Sequence, residues 1–168
     1  MPAMTDPMDA LVQYQEAFAR GLIPVQPGIA NRDILVARDD PNDKPRFSYM
    51  QAQHRTLMVL VMLVQIGWDE EGPIFEVGYA VAPEFRGRGL AVQTLAAALD
   101  ELSAGLARAK VPMMTIEAVV GAGNLSSERV ALAIFGEAPT SITDEISGEP
   151  ALLFRKVIAC ERGTGLRR

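Results

Sequence analysis

The sequence has few of the residues that cross-link small proteins or bind metals. Of its 168 residues, one is cysteine, Cys160, and one is histidine, His54. A single thiol cannot form an internal disulfide and suits a reducing compartment, so we expect a cytoplasmic protein. No group of His, Cys, Asp and Glu has the spacing of a metal site. The sequence therefore predicts no bound metal, and we expect Cys160 to be inert.

The chain also lacks an excess of basic residues and any long apolar run. Its formal net charge of -5 argues against non-specific nucleic-acid binding, which depends on Lys and Arg neutralising phosphates. The longest apolar run, 57–64, is far too short to span a bilayer and predicts a buried central strand. Asp6 and Asp9 interrupt the N-terminal region, so we expect no secretory signal. Nucleic acid and membrane are thus not expected as partners.

The overall composition is that of an ordinary globular domain. Hydrophobic residues make up 49% of the chain and charged residues 22%, and the length is sufficient for one well-packed core. The sequence shows no internal repeat and no linker that would separate two domains. We predict a single domain over residues 1–168, with 1–5 and 161–168 disordered.

Hydrophobic periodicity and turn residues predict a series of strands interrupted by helices. Six strands are expected, at 34–37, 47–52, 56–66, 74–81, 113–120 and 151–158. Helices are expected between the N-cap Asp6 and Gly21, over 89–109, and from Asn124 to about Phe135. The segments 21–31, 67–73 and 138–148 are expected to be a connector, a hairpin loop and a loop with room for one edge strand. A helix between the strands 74–81 and 113–120 makes a parallel crossover, so we predict an α+β fold with a mixed, mostly antiparallel sheet.

The stretch 76–91 carries the clearest functional signal. It begins as a strand in which Val77, Tyr79 and Val81 alternate with smaller residues. Gly87 and Gly89 follow in a turn that leads directly into a long helix. Glycines let the backbone approach a ligand with its N–H groups pointing outward, and the positive end of the helix adds to the attraction. The stretch therefore predicts a binding site for an anion such as a pyrophosphate.

Three kinds of phosphate-binding loop can be compared with this stretch. A P-loop would end in Gly-Lys-Ser/Thr, but this one ends Gly-Leu-Ala at 89–91. A dinucleotide fingerprint would need a third glycine where Val92 stands, and a ribose-binding acid further on. Arg-x-x-Gly-x-Ala at 86–91, between an apolar strand and an amphipathic helix, resembles the Arg/Gln-x-x-Gly-x-Gly/Ala signature of the GNAT superfamily of N-acetyltransferases. The flanking residues 78–79 and 82–85 resemble that superfamily as well.

The resemblance implies a GNAT-like twisted sheet and acetyl-CoA as the acyl donor. In GNAT proteins the two strands joined by the crossover splay apart, and the pantetheine arm of coenzyme A enters the gap. Here the backbone groups of Ala80, Val81 and Ala82 would pair with the pantetheine amides, as an added strand would. The N–H groups of the loop would hold the pyrophosphate; its residues are Arg86, Gly87, Arg88, Gly89, Leu90 and Ala91. One of the two arginine side chains would contact phosphate, and the other would be solvated.

A second match follows the strand 113–120. Asn124-x-x-Ser127 resembles the helix start of GNAT proteins, particularly the branch with the ribosomal-protein alanine acetyltransferases. The resemblance implies a hydrogen bond from Asn124 to the pantetheine region, whereas the residue type alone predicts an N-cap, and both roles are compatible. Many GNAT proteins have a tyrosine four residues after the position of Ser127, where this chain has Ala131. The proton for the departing thiolate would then come from Ser127 or from water.

Amide formation requires a group that takes a proton from the attacking amine. We favour Glu76, at the start of the strand 74–81, because several GNAT branches have a functional acid there. Glu117, on the strand beside the same gap, is the second choice. A backbone N–H near Val81 would stabilise the anionic oxygen of the tetrahedral intermediate. His54 stands at an expected hairpin tip and is expected to be an exposed turn residue.

These observations lead to one principal hypothesis and two alternatives. The first is an enzyme that transfers an acetyl group from acetyl-CoA to a primary amine, in a small molecule or a peptide, by direct attack. The second is a non-catalytic acyl-CoA-binding or regulatory module, suggested by the missing tyrosine. The third is a nucleotide-binding protein that uses the same loop. The segment 139–150 is expected to shape the acceptor site, and the resemblance leaves a homodimer open.

Overall fold

The computed structural model describes residues 6–162, which form three α-helices, two short 3-10 helices and one eight-stranded sheet. The helices are α1 (Pro7–Ala19), α2 (Leu90–Arg108) and α3 (Leu125–Phe135). The strands are β1 (Gln26–Pro27), β2 (Leu35–Asp39), β3 (Arg46–Gln53), β4 (Thr56–Asp69), β5 (Gly72–Val81), β6 (Met113–Gly121), β7 (Thr140–Thr143) and β8 (Pro150–Ala159). The expectations for 1–5 and 163–168 lie outside the described residues.

The sheet has the strand order β1-β2-β3-β4-β5-β6-β8-β7. All neighbouring strands are antiparallel except β5 and β6, which are parallel and joined through α2. This arrangement confirms the predicted α+β fold with a mixed, mostly antiparallel sheet and one crossover. Within the described residues the edge strand foreseen in 138–148 is β7.

Two segments differ from the sequence prediction. The predicted loop 67–73 is wrong, because β4 continues to Asp69 and β5 begins at Gly72, so the turn consists of two residues. Gly67 lies at a register shift in the β4–β5 pairing rather than in a loop, since glycine in a strand is also typical of a bulge. The connector 21–31 contains the short strand β1, which pairs with β2.

The helix ends follow the capping residues. The carboxylate of Asp6 accepts a hydrogen bond from the backbone N–H of Met8, with Pro7 at the first position of α1. The side chain of Asn124 accepts one from the N–H of Ser127, and Gly136 ends α3 in the left-handed region. Both N-caps predicted from the sequence are confirmed.

Two apolar layers cover the two faces of the sheet. Helices α2 and α3 pack on one face, around residues such as Phe75, Leu95 and Phe135. Helix α1 packs on the other face, against Met50 and Leu60. Because β4 contributes fully buried residues to both layers, the predicted central strand is confirmed.

Helix α2 is long and apolar enough to cross a membrane by length and composition. In the fold it lies against the sheet, with ten of its residues buried. The burial of one face in the core accounts for the apolar composition.

Candidate active site

The strands β5 and β6 form a wedge-shaped gap. They pair at three positions, Ile74 with Thr115, Phe75 with Ile116, and Glu76 with Glu117. Beyond Glu76 each strand continues without pairing to the other, to Val81 and Gly121 respectively. A cleft of about 720 Å³ opens there and extends to the turn before α2 and the start of α3. This volume is in the range of clefts that hold cofactor-sized molecules.

The backbone of β5 presents alternate residues to this gap. The N–H of Ala82 donates to the carbonyl of Met58 at 2.9 Å, which directs Ala82 toward β4. Because hydrogen-bonded pairs alternate along an antiparallel ladder, Ala80 also faces β4, whereas Tyr79 and Val81 face the gap. The geometry therefore moves the expected pantetheine contacts from Ala80 and Ala82 to Tyr79, and keeps Val81.

The turn before α2 exposes a series of backbone donors. Gly87 and Gly89 have φ values of +77° and +73°, a region that glycine enters without strain. Gly89 is the N-cap of α2 and offers no side chain to the helix N–H groups. The N–H of Arg86 is hydrogen-bonded to Pro83 at 3.4 Å, so the donors in this turn run from Gly87 to Ala91. They point outward from a helix N-terminus, as an anion site requires.

The two arginines of the turn have different surroundings. The guanidinium of Arg86 donates through Nε to the carbonyl of Val81 at 3.1 Å and lies near the sulfur of Met8. The guanidinium of Arg88 lies over the ring of Phe85, 5.4 Å from its centre. Arg86 lines the cleft, and Arg88 does not belong to its lining. Of the two, Arg86 is better placed to contact a bound anion.

Asn124 and Ser127 lie at the opposite wall of the cleft. The Oδ1 atom of Asn124 accepts hydrogen bonds from the N–H of Ser127 at 3.3 Å and from the hydroxyl of Ser126 at 3.2 Å. The amide nitrogen of Asn124 is not used in this cap. Its role as an N-cap is thus compatible with donation to a ligand, which stays a prediction.

Tyr79 is a cleft residue whose side chain the sequence analysis passed over. Its hydroxyl donates to the carbonyl of Ser127 at 2.7 Å and so connects β5 to the first turn of α3. Burial raises the pKa of Tyr79 to about 12, although the hydrogen bond to Ser127 acts in the opposite direction. Ala131, where many GNAT proteins have a tyrosine, is fully buried. The sequence signal was the tyrosine in the strand, but only the fold places it against α3.

Glu76 lies at the narrow end of the wedge and lines the cleft. Burial raises its pKa, as do the negative charges of Glu117 and Asp144, while the charge of Lys44 lowers it. A carboxyl group whose pKa is raised toward neutrality is suited to accept a proton. This position is compatible with Glu76 as the base, and the role stays a prediction.

Glu117, the second choice for the base, is already engaged. Its carboxylate forms an ion pair with the guanidinium of Arg155, which also binds Asp69 at 2.8 Å. A carboxylate that is already bound by a guanidinium is less available to an incoming amine. This pairing, which joins residues far apart in the sequence, argues against Glu117 as the base.

The other residues considered from the sequence lie as follows. His54 is exposed at the turn between β3 and β4, and neither it nor Cys160 belongs to the lining of the cleft. Asp144 and Ile146, from the segment between β7 and β8, do line the cleft. The segment 139–150 therefore reaches the cleft, and its role in shaping the acceptor side stays a prediction.

Solved structures of several acetyltransferases share this fold. The ribosomal-protein-S5-alanine acetyltransferase from Vibrio fischeri is 16% identical over 92% of this chain and 91% of that one, with a TM-score of 0.52. The RimL ribosomal L7/L12 alpha-N-protein acetyltransferase, in complex with coenzyme A, is 15% identical over 69% of this chain and 64% of that one, with a TM-score of 0.52. The spermidine N-acetyltransferase from Vibrio cholerae, in complex with CoA and spermine, is 22% identical over 73% and 69%, with a TM-score of 0.48.

At these identities the two likenesses with a TM-score of 0.52 show the fold alone, and this chain spans slightly less than two thirds of the RimL chain. The sequence matches no curated protein. Residues 11–134, most of the chain, match the model of an acetyltransferase (GNAT) domain. The resemblance noted in the turn before α2 therefore extends across the fold, and the chain belongs to the GNAT family of acetyltransferases.

Proposed function

We propose that the protein transfers an acetyl group from acetyl-CoA to a primary amine by direct attack, without a covalent enzyme intermediate. The observation that carries this proposal is the wedge between β5 and β6, whose pairing stops after Glu76 and Glu117. The wedge leaves unpaired strand backbone beside a helix N-terminus with free donors. An extended amide chain that ends in a diphosphate would use both features.

The binding of the donor follows from the backbone geometry. The N–H groups from Gly87 to Ala91 would hold the diphosphate, and the backbone groups of Tyr79 and Val81 would pair with the pantetheine amides. The side-chain amide of Asn124 would donate from the opposite wall. These contacts would direct the thioester toward the narrow end of the wedge, where Glu76 lies.

The chemistry needs one proton acceptor and one proton donor. Glu76 takes the proton from the acceptor ammonium, directly or through a water molecule, and the free amine attacks the thioester carbon. A backbone N–H of β5 that faces the gap nearer to Glu76 stabilises the oxyanion that forms, because Val81 lies about 16 Å along the strand from Glu76. When the C–S bond breaks, the thiolate takes a proton from Ser127 or from water, and that group regains a proton from the positively charged nitrogen of the tetrahedral intermediate as the amide forms.

The acceptor would approach between the start of α1 and the segment that connects β7 and β8. Met8, Ile146 and Asp144 line that side of the cleft. Carboxylates at Glu76 and Asp144 favour a cationic amine, and the apolar side chains favour a short aliphatic body. We propose small amines and peptide N-termini as the acceptor classes.

Two measurements test this function. Thiol release from acetyl-CoA, followed over a panel of amines and peptides, should exceed the hydrolytic background with at least one acceptor. Coenzyme A should raise the melting temperature more than ATP or NAD does. At a concentration one hundred times its Kd, it should add about 2.7 kcal/mol to the free energy of unfolding. Stabilisation by coenzyme A without any thiol release would instead support a non-catalytic binding module.

A further inference from the structure

The guanidinium of Arg86 lies at the open end of β5. Its Nε atom donates to the carbonyl oxygen of Val81 at 3.1 Å, and its Nη2 atom lies 3.7 Å from the sulfur of Met8 at the start of α1. Arg86, Val81 and Met8 all line the cleft, and Arg86 is the one lysine or arginine to do so among the described residues. This side chain therefore connects the edge of the sheet to α1 at the wide end of the wedge.

The carbonyl that Arg86 contacts belongs to the strand edge that faces the gap. Val81 is a gap-facing residue, and the N–H and C=O groups of one residue in an antiparallel strand point to the same side. If pantetheine pairs with β5 as an added strand, this carbonyl is the acceptor for one of its amide N–H groups. The guanidinium and the pantetheine amide therefore compete for the same oxygen.

Arg86 also lies next to the turn that would bind the diphosphate. It directly precedes Gly87, the first of the outward-facing N–H donors. The side chain is exposed, and none of the ion pairs among residues 6–162 includes it. A hydrogen bond from a guanidinium to a phosphate is about twice as strong as one between neutral groups. A diphosphate at the turn is therefore a better partner for this guanidinium than the carbonyl of Val81.

We propose that Arg86 determines which donors can pair with β5. Without a diphosphate, its guanidinium occupies the carbonyl of Val81 and obstructs the place of pantetheine. A diphosphate bound at the turn takes the guanidinium away from Val81 and Met8, which frees the carbonyl for the pantetheine amide. The protein thus selects thioesters that carry a diphosphate over thioesters of pantetheine alone. This inference rests on the proposed function, because it concerns the donor of that reaction.

The two halves of the donor, used separately, test the inference without turnover. Pantetheine is titrated into the protein with and without saturating inorganic pyrophosphate, and its Kd is measured from the backbone amide signals of Tyr79 and Val81. Pyrophosphate should increase the affinity for pantetheine about two- to tenfold, which corresponds to one hydrogen bond. By linkage, pantetheine should increase the affinity for pyrophosphate by the same factor. Equal affinities in the two titrations, or a lower affinity with pyrophosphate, would overturn the inference.

The variant Arg86→Met distinguishes this role from a simple contact with phosphate. Because the variant has no donor at Val81, it should bind pantetheine about two- to tenfold more tightly than the wild type does. Pyrophosphate should no longer change that affinity, and coenzyme A should bind more weakly. If Arg86 only contacts phosphate, the affinity for pantetheine stays at the wild-type value. That result, or a loss of pantetheine affinity, would contradict the inference.

The unmodified protein offers a direct measurement of the same movement. In protein with ¹⁵N-labelled arginine, the Nε–H signal of Arg86 should shift when pyrophosphate is added. The signal should stay in place when pantetheine is added alone at low occupancy. An Nε–H signal that pyrophosphate leaves unchanged would show that the guanidinium stays on Val81, and the inference would fail.

Arg88→Met is the matched control. It removes the same charge from the same turn, but the guanidinium of Arg88 lies over the ring of Phe85. The affinity for pyrophosphate should fall because a nearby positive charge is lost, whereas the effect of pyrophosphate on pantetheine binding should persist. If this effect is found but no amine is acetylated, the catalytic proposal fails and the selection of donors stands. If amines are acetylated and the effect is absent, this inference fails alone.

Discussion

Glu76 brings a negative charge into a partly buried position between two other acids. Its raised pKa means that the folded state binds the proton of this group more tightly than the unfolded state does. The stability that the group contributes is present below its unfolded pKa and is lost as the pH rises through its folded pKa. The residue that suits the chemistry is therefore unfavourable for stability at neutral pH.

We predict that Glu76→Gln lowers kcat while raising the melting temperature at neutral pH, because glutamine removes the base and the desolvated charge together. Below about pH 3, where the wild-type carboxyl is protonated in both states, the two melting temperatures should converge. Calorimetry over this pH range and a thiol-release assay measure the two effects. Glu70→Gln, at the exposed β4–β5 turn, is the matched control and should change neither quantity. A variant that keeps full activity at all pH values would exclude Glu76 as the base.

Tyr79 connects the two walls of the cleft through its hydroxyl. We predict that Tyr79→Phe loses about 0.5 to 1.5 kcal/mol of unfolding free energy, the usual net contribution of one hydrogen bond. Because the first turn of α3 is no longer held against β5, the KM for acetyl-CoA should rise more than kcat falls. Denaturant titration and steady-state kinetics check this prediction. A large fall in kcat with an unchanged KM would show that the hydroxyl takes part in proton transfer instead.

Among the elements, α2 has one glycine at its N-cap and one in its interior, and we expect their replacement by alanine to change the stability in opposite directions. We predict that Gly89→Ala lowers the stability by about 1 kcal/mol, since the left-handed conformation at its φ of +73° disfavours a Cβ even where space is free. It should also weaken coenzyme A binding, because the donors around it would be displaced. Thermal shift with and without coenzyme A measures both effects.

Gly105, inside the same helix, is the matched control for that substitution. A Cβ there would meet only the end of the Arg108 side chain, at 3.7 Å. Gly105→Ala should stabilise the protein by about 0.5 to 1 kcal/mol and leave coenzyme A binding unchanged. Equal effects of the two substitutions on coenzyme A binding would contradict the role assigned to the turn.

The elements were largely predictable because their signals are local. Asp6, Asn124 and Gly136 mark helix ends by their own hydrogen bonds or conformation. The error at Gly67 arose because a glycine in a strand and a glycine in a loop look alike in sequence. The pairing of Glu117 with Arg155 depends on the register of two strands distant in the chain, which no local pattern encodes. The same holds for the alternation that turns Val81, and not Ala80, toward the gap.

At the scale of the whole molecule, the sheet consists of two parts joined by few pairs. Strands β1 to β5 form one part and β6, β8 and β7 the other, with three paired positions between them. A ligand that pairs with the open end of β5 would extend this junction. Its binding should therefore stabilise the contact between the two parts as well as the site itself.

Hydrogen exchange can test this expectation residue by residue. We predict that coenzyme A slows the exchange of the amides of Tyr79 and Val81, which face the gap. The amides of Ala80 and Ala82 face β4 and should exchange slowly with or without the ligand. Protection of Ala80 without protection of Val81 would contradict the backbone alternation described for β5.

Ala131 lies on α3 and is fully buried in the apolar core. A tyrosine introduced there would have to displace neighbours in a close-packed interior, and such overpacking costs about 1 to 3 kcal/mol. The single substitution Ala131→Tyr would therefore destabilise the fold unless neighbouring side chains became smaller as well, so the packing of α3 restricts which proton donors this wall of the cleft can hold.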